Sequence, residues 1–94
     1  MAKTRKTQKT QETVETYKYD PEDYKDIIPL YEDMVEFYNL LEKYRRNKTT
    51  RNQLYLEKQL NYLLLSIKHR VVEGIIHTFE AEEMKSYMRG LVSD

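Results

Sequence analysis

The sequence predicts an all-α protein: an antiparallel helical hairpin of two long helices, with a short helix at each end, forming a small bundle behind a disordered basic N-terminal tail. Three observations carry this. No stretch alternates polar and apolar residues over a strand length. Apolar residues recur at spacings of three and four from Leu30 and again from Leu56. Helix start signals stand ahead of each periodic run, at Asp20-Pro21 and at Thr50 with Gln53.

At 94 residues the chain is one domain, read as a tail over 1–16 and a helical domain over 17–94. Beyond Met1 and Ala2 the tail holds a single aliphatic residue, Val14, and cannot bury enough to offset its chain entropy. Its threonines fall at every third position from Thr4 to Thr16, a period of neither helix nor strand. Asp20 caps a short first helix, with Pro21 at its first position and Glu22 and Asp23 at the positive end of the dipole. Pro29 disfavours α geometry at Ile28, which ends or kinks that helix and opens the next. The first long helix carries the stripe Leu30, Met34, Phe37, Leu41 and Tyr44 and runs to about Arg46.

Asn47-Lys48-Thr49 is the expected hairpin turn, and Thr50 the expected cap of the second long helix, in a capping box with Gln53. That helix has a main stripe of Leu56, Leu60, Leu63, Leu64, Ile67, Val71 and Ile75. A second stripe holds Leu54, Leu65, Val72 and Ile76. The first long helix covers one stripe only. Gly74 bends or ends the helix. A last helix is expected from a Thr78 cap, with Glu80, Glu82 and Glu83 early, Lys85 and Arg89 late, and Gly90 as its stop. The hairpin resembles that of small dimeric four-helix bundles, a likeness of fold that carries no function.

Several function classes are excluded or disfavoured. The absence of Cys removes disulfides, thiol catalysis and cysteine metal sites, and two Gly leave no phosphate-binding glycine loop. His69, Glu73 and His77 share a helix face, but the histidines are ~12 Å apart on a straight helix and cannot share an ion with ~2 Å bonds. The carboxylates sit in helix first turns and on polar faces, and no nucleophile motif surrounds Ser66 or Ser86. No enzyme activity, metal or cofactor is expected. The basic start is followed by no apolar leader region, and the longest apolar patch, Leu63–Leu65, is far short of the ~20 residues of a membrane span. A cytoplasmic protein is the expectation. The Lys-, Glu-, Ile- and Tyr-rich composition is compatible with a heat-adapted source.

The formal net charge of zero conceals segregation. Residues 1–10 carry Lys3, Arg5, Lys6 and Lys9 and no acid. Residues 11–42 set ten acids against Lys18 and Lys25, whereas 43–70 set eight bases against Glu57 alone. Lys43, Arg45, Arg46, Lys48 and Arg51 crowd the hairpin turn. With the tail lysines and arginine they form a candidate surface for a nucleic-acid backbone. Complementing a helix dipole and keeping a turn soluble explain the same residues more simply. The second stripe, with Tyr62 and Phe79 beside Leu54, Leu65, Val72 and Ile76, is a candidate protein interface. Together these features predict an accessory subunit that docks on a larger nucleic-acid-handling assembly. The alternatives are a free-standing homodimeric DNA- or RNA-binding regulator, of viral or plasmid origin, and a protein inhibitor of an enzyme.

Overall fold

The computed structural model describes residues 17–93. The expectations for the tail, including Lys3, Arg5, Lys6 and Lys9, lie outside the described residues. The fold is an all-α small bundle of three helices: α1 (Ile28–Arg46), α2 (Thr50–Val72) and α3 (Thr78–Ser93), preceded by one 3-10 turn over Pro21–Tyr24. Among the described residues there is no strand, and no helix is long and apolar enough to cross a membrane. The short helices expected at each end differ in size. The first is a single 3-10 turn, whereas α3 is a full third helix of 16 residues.

Asp20 caps as expected, its Oδ1 accepting from the Glu22 amide at 3.0 Å, but the first helix is a single turn. Ile28, expected to avoid α geometry, is the first residue of α1, whose first turn accommodates Pro29 because no intrahelical N–H is needed there. At the hairpin the cap is Thr49, one residue before the expected Thr50. Its Oγ1 accepts from the Asn52 amide at 3.1 Å. Asn52 is itself buried, and its side-chain amide donates to the Asn47 carbonyl at 2.8 Å, closing the turn.

Gly74 ends α2 at φ +79°, a left-handed conformation that a Cβ penalises. The Gly74 amide donates to the Val71 carbonyl at 2.9 Å and the Ile75 amide to the Arg70 carbonyl at 2.8 Å, the paired bonds of a Schellman motif. The reversed chain carries Ile75 outward and Ile76 inward. The main stripe therefore stops at Val71, with Ile75 exposed. Ile76, expected on the interface stripe, is instead 5% exposed within the core. α3 is capped by His77 rather than Thr78: His77 Nδ1 accepts from the Phe79 amide at 3.1 Å. Gly90 does not stop α3, which continues to Ser93.

The core is built from Leu30, Met34, Phe37 and Leu41 of α1, Leu56, Leu63 and Ile67 of α2, and Met84 and Met88 of α3, all at most 1% exposed. Its remaining side is closed by the segment 17–27, a strap tied down by tyrosines. Tyr38 donates to the Tyr19 carbonyl at 2.6 Å, and Tyr17 stacks on Tyr38 with ring centroids 4.0 Å apart. Tyr17, Tyr19 and Tyr24 hydroxyls donate to Glu42, Glu83 (3.3 Å) and Glu80 (2.6 Å) respectively. Tyr87 accepts the Lys18 amide at 2.9 Å.

Candidate functional site

With its inner face against α1 and α3, α2 turns a second, organised face to solvent. Leu54, Lys58, Asn61, Leu65, Lys68 and Val72 follow the 4-3-4-3-4 spacing of a coiled-coil seam, and all are exposed. Leu54 is 59% exposed, Leu65 51% and Val72 77%. Tyr55, Tyr62 and His69 form an adjacent row at seven-residue intervals, also exposed. Neither α1 nor α3 covers these positions, although the core is complete without them. Of the six predicted interface residues, Leu54, Tyr62, Leu65 and Val72 therefore share one face. Phe79, 69% exposed, stands apart at the start of α3, and Ile76 is lost to the core.

Two clefts flank Arg70 where α2 passes the start of α1. One, of about 310 Å³, lies between Pro29, Asp33, Tyr62, Leu65, His69 and Arg70. The other, of about 490 Å³, lies between Ile27, Ile28, Pro29, Arg70, Glu73 and Ile75. Arg70 is 8% exposed. Its Nη2 donates to Glu73 Oε2 at 3.1 Å, and its Nε lies 2.9 Å from Oε1, off the line of the N–H bond. Glu73 neutralises the buried cation, and Arg70 lines both clefts. Sequence reasoning missed Arg70, which stands in neither apolar stripe of the second long helix and counts there only as one of its basic residues.

At the opposite pole, Lys43, Arg46, Lys48 and Arg51 are exposed around the hairpin turn. Arg45 is half-buried, with Nη1 4.0 Å from Glu42 Oε2. A cleft of about 390 Å³ opens here between Leu41, Tyr44, Arg45, Lys48, Gln53 and Ser93. Tyr17 is bonded to Glu42 one turn before Arg46, so the described residues begin at the same pole as the basic turn.

The perturbed phenols belong to the strap and to Tyr38 of α1, on which it packs, not to a cleft. Burial, then the carboxylates beside them, pushes the Tyr19 and Tyr24 hydroxyls up, and burial does the same at Tyr38. They stay neutral as donors. Among the described residues, no three His, Asp or Glu side chains converge as metal ligands. The His77 imidazole is engaged as a helix cap and His69 stands on the rim of the first cleft. Comparison with protein-family models, with curated proteins and with solved structures finds no match to this chain.

Proposed function

We propose that the chain is a non-enzymatic docking subunit. It would seat the outer face of α2 on another protein and set its basic pole against the backbone of a nucleic acid that the assembly handles. The observation that carries this reading is the exposed seam of α2. Leu54, Leu65 and Val72 lie on one line beside Tyr55 and Tyr62, while the core closes without them. Burying aliphatic side chains of this size contributes ~1.5–3 kcal/mol each. The basic turn and the basic residues that precede Tyr17 in the sequence support nucleic acid as the second contact, through weak, salt-sensitive phosphate bonds. Such a subunit works in the cytoplasm, beside the nucleic acid.

The test is a tagged pull-down from native cell extract, with and without nuclease, using the wild type, Leu65→Asp and Val72→Asp. Both positions face solvent, so both variants should keep the wild-type helical circular dichroism. The expected result is a stoichiometric protein that survives nuclease and is lost with either variant. Capture of the same protein by both variants would overturn the reading. So would recovery of nuclease-sensitive material alone.

A further inference from the structure

We infer that the partner seated on α2 is an amphipathic helix whose apolar stripe is interrupted by acidic residues, a proposal that rests on the docking reading above. The seam is not uniformly apolar. Leu54, Leu65 and Val72 alternate with Lys58, Asn61 and Lys68, and no acid stands in the line. Glu57, beside it, accepts from Gln53 at 3.3 Å. A heptad-spaced face is filled best by another helix, whose side chains seat between its rows. Desolvating Lys58 and Lys68 in that contact is tolerable only where each meets a carboxylate. The two lysines are ten residues apart, ~15 Å along the helix. The partner stripe therefore reads apolar, acidic, polar, apolar, acidic, apolar, in this order or reversed, with its acids ten residues apart.

A second copy of the chain does not supply that stripe. Two α2 seams packed antiparallel about residue 63 set Lys58 against Lys68 of the second copy, and packed parallel they set each lysine against its equivalent. The acidic faces of α1 and α3 carry the right charge, with Glu32 and Glu36 or Glu82 exposed. They offer no apolar row to meet Leu54, Leu65 and Val72. Charge and apolarity together point to a different protein.

The probe is a fluorescein-labelled, hydrocarbon-stapled 21-residue helix carrying Leu, Glu, Asn, Leu, Glu and Leu at the seam spacing, made in both directions. Its twin carries Lys for Glu. Anisotropy titrations use the full 94-residue chain. One direction of the acidic helix should bind at least tenfold more tightly than its basic twin, and Leu65→Asp should remove binding. The double variant Lys58→Glu with Lys68→Glu should reverse the preference between the twins. All four substituted sites used here and above are solvent-facing, and circular dichroism confirms that each variant is folded.

Equal binding of the twins, or binding of neither, overturns the acidic-helix partner. Two other occupants would also overturn it. One is a dimer in sedimentation equilibrium that Leu65→Asp dissolves; the other is co-sedimentation with phosphatidylserine vesicles that Leu65→Asp abolishes. The docking reading itself falls if the pull-down is unchanged by Leu65→Asp and Val72→Asp or yields nuclease-sensitive material alone, outcomes the peptide titration does not touch, so the two failures are distinguishable.

Discussion

Gly74 and Gly90 are the only glycines in the chain, and their places in the fold give them opposite roles. Gly74 sits at φ +79° with open space around it, so a methyl group there meets no neighbour and the cost is conformational. Gly74→Ala should destabilise by ~1–2 kcal/mol. Gly90 lies inside α3, also in open space, and Gly90→Ala should stabilise by ~0.5–1 kcal/mol through lost unfolded-state freedom. Thermal denaturation should show the two midpoints moving in opposite directions, by ~4–8 °C per kcal/mol. Midpoints moving together would contradict the assignment. These two residues also show where local reading reaches its limit. A glycine late in a helix is visible in sequence, but its conformation is set by whether the chain must reverse there. At Gly74 it must, because the Schellman bonds turn Ile76 into the core. At Gly90 Leu91 and Val92 still have core to cover, and the helix continues. The caps at Thr49 and His77 each stand one residue before the expected one for a related reason. Two neighbouring polar residues compete for one position, and small differences in approach of the chain decide between them.

At the scale of elements, the amphipathic period places α1, α2 and α3 correctly, because each has one face that must be buried. It also separates the inner stripe of α2 from the outer one, so most of the candidate docking face is legible in the residue pattern alone. The strap is not. Its bonds join Tyr17 to Glu42, Tyr19 to Glu83 and Tyr24 to Glu80, pairs up to 64 residues apart, and no local period announces a long-range hydrogen bond. The strap makes a pH prediction. Tyr19, Tyr24 and Tyr38 all have folded-state pKa values raised above the unfolded value of ~10. Their contribution is therefore complete below about pH 10. It is lost as pH rises through the folded values, because only the unfolded chain can release these protons readily. The thermal midpoint should fall steeply above about pH 10, and Tyr38→Phe should flatten part of that fall while lowering stability at neutral pH. A midpoint that stays level from about pH 7 to 11 would show that these phenols are not held neutral by the fold.

For the whole molecule, the zero net charge hides a basic turn at one end of the bundle, lined by Lys43, Arg46, Lys48 and Arg51. A labelled duplex should bind with an affinity that falls steeply between about 50 and 200 mM salt. Arg46→Glu with Lys48→Glu should reduce the logarithmic salt slope by ~2, about one for each lost phosphate contact, and leave the peptide binding of α2 intact. An unchanged slope would remove the turn from the nucleic-acid surface. The approach of Tyr17 to the turn is not legible in the sequence, since it depends on the strap running back along α1. That same path has a topological consequence. Tyr17 meets Glu42, Glu42 lies against Arg45, and Arg45 shares a cleft with Ser93. Entry and exit of the described residues thus lie at the same end of the bundle. A bundle of this kind can be spliced as a cassette into a surface loop of another protein, or re-cut at the Gly74 reversal with its ends sewn together, without parting any helix from its packing partners.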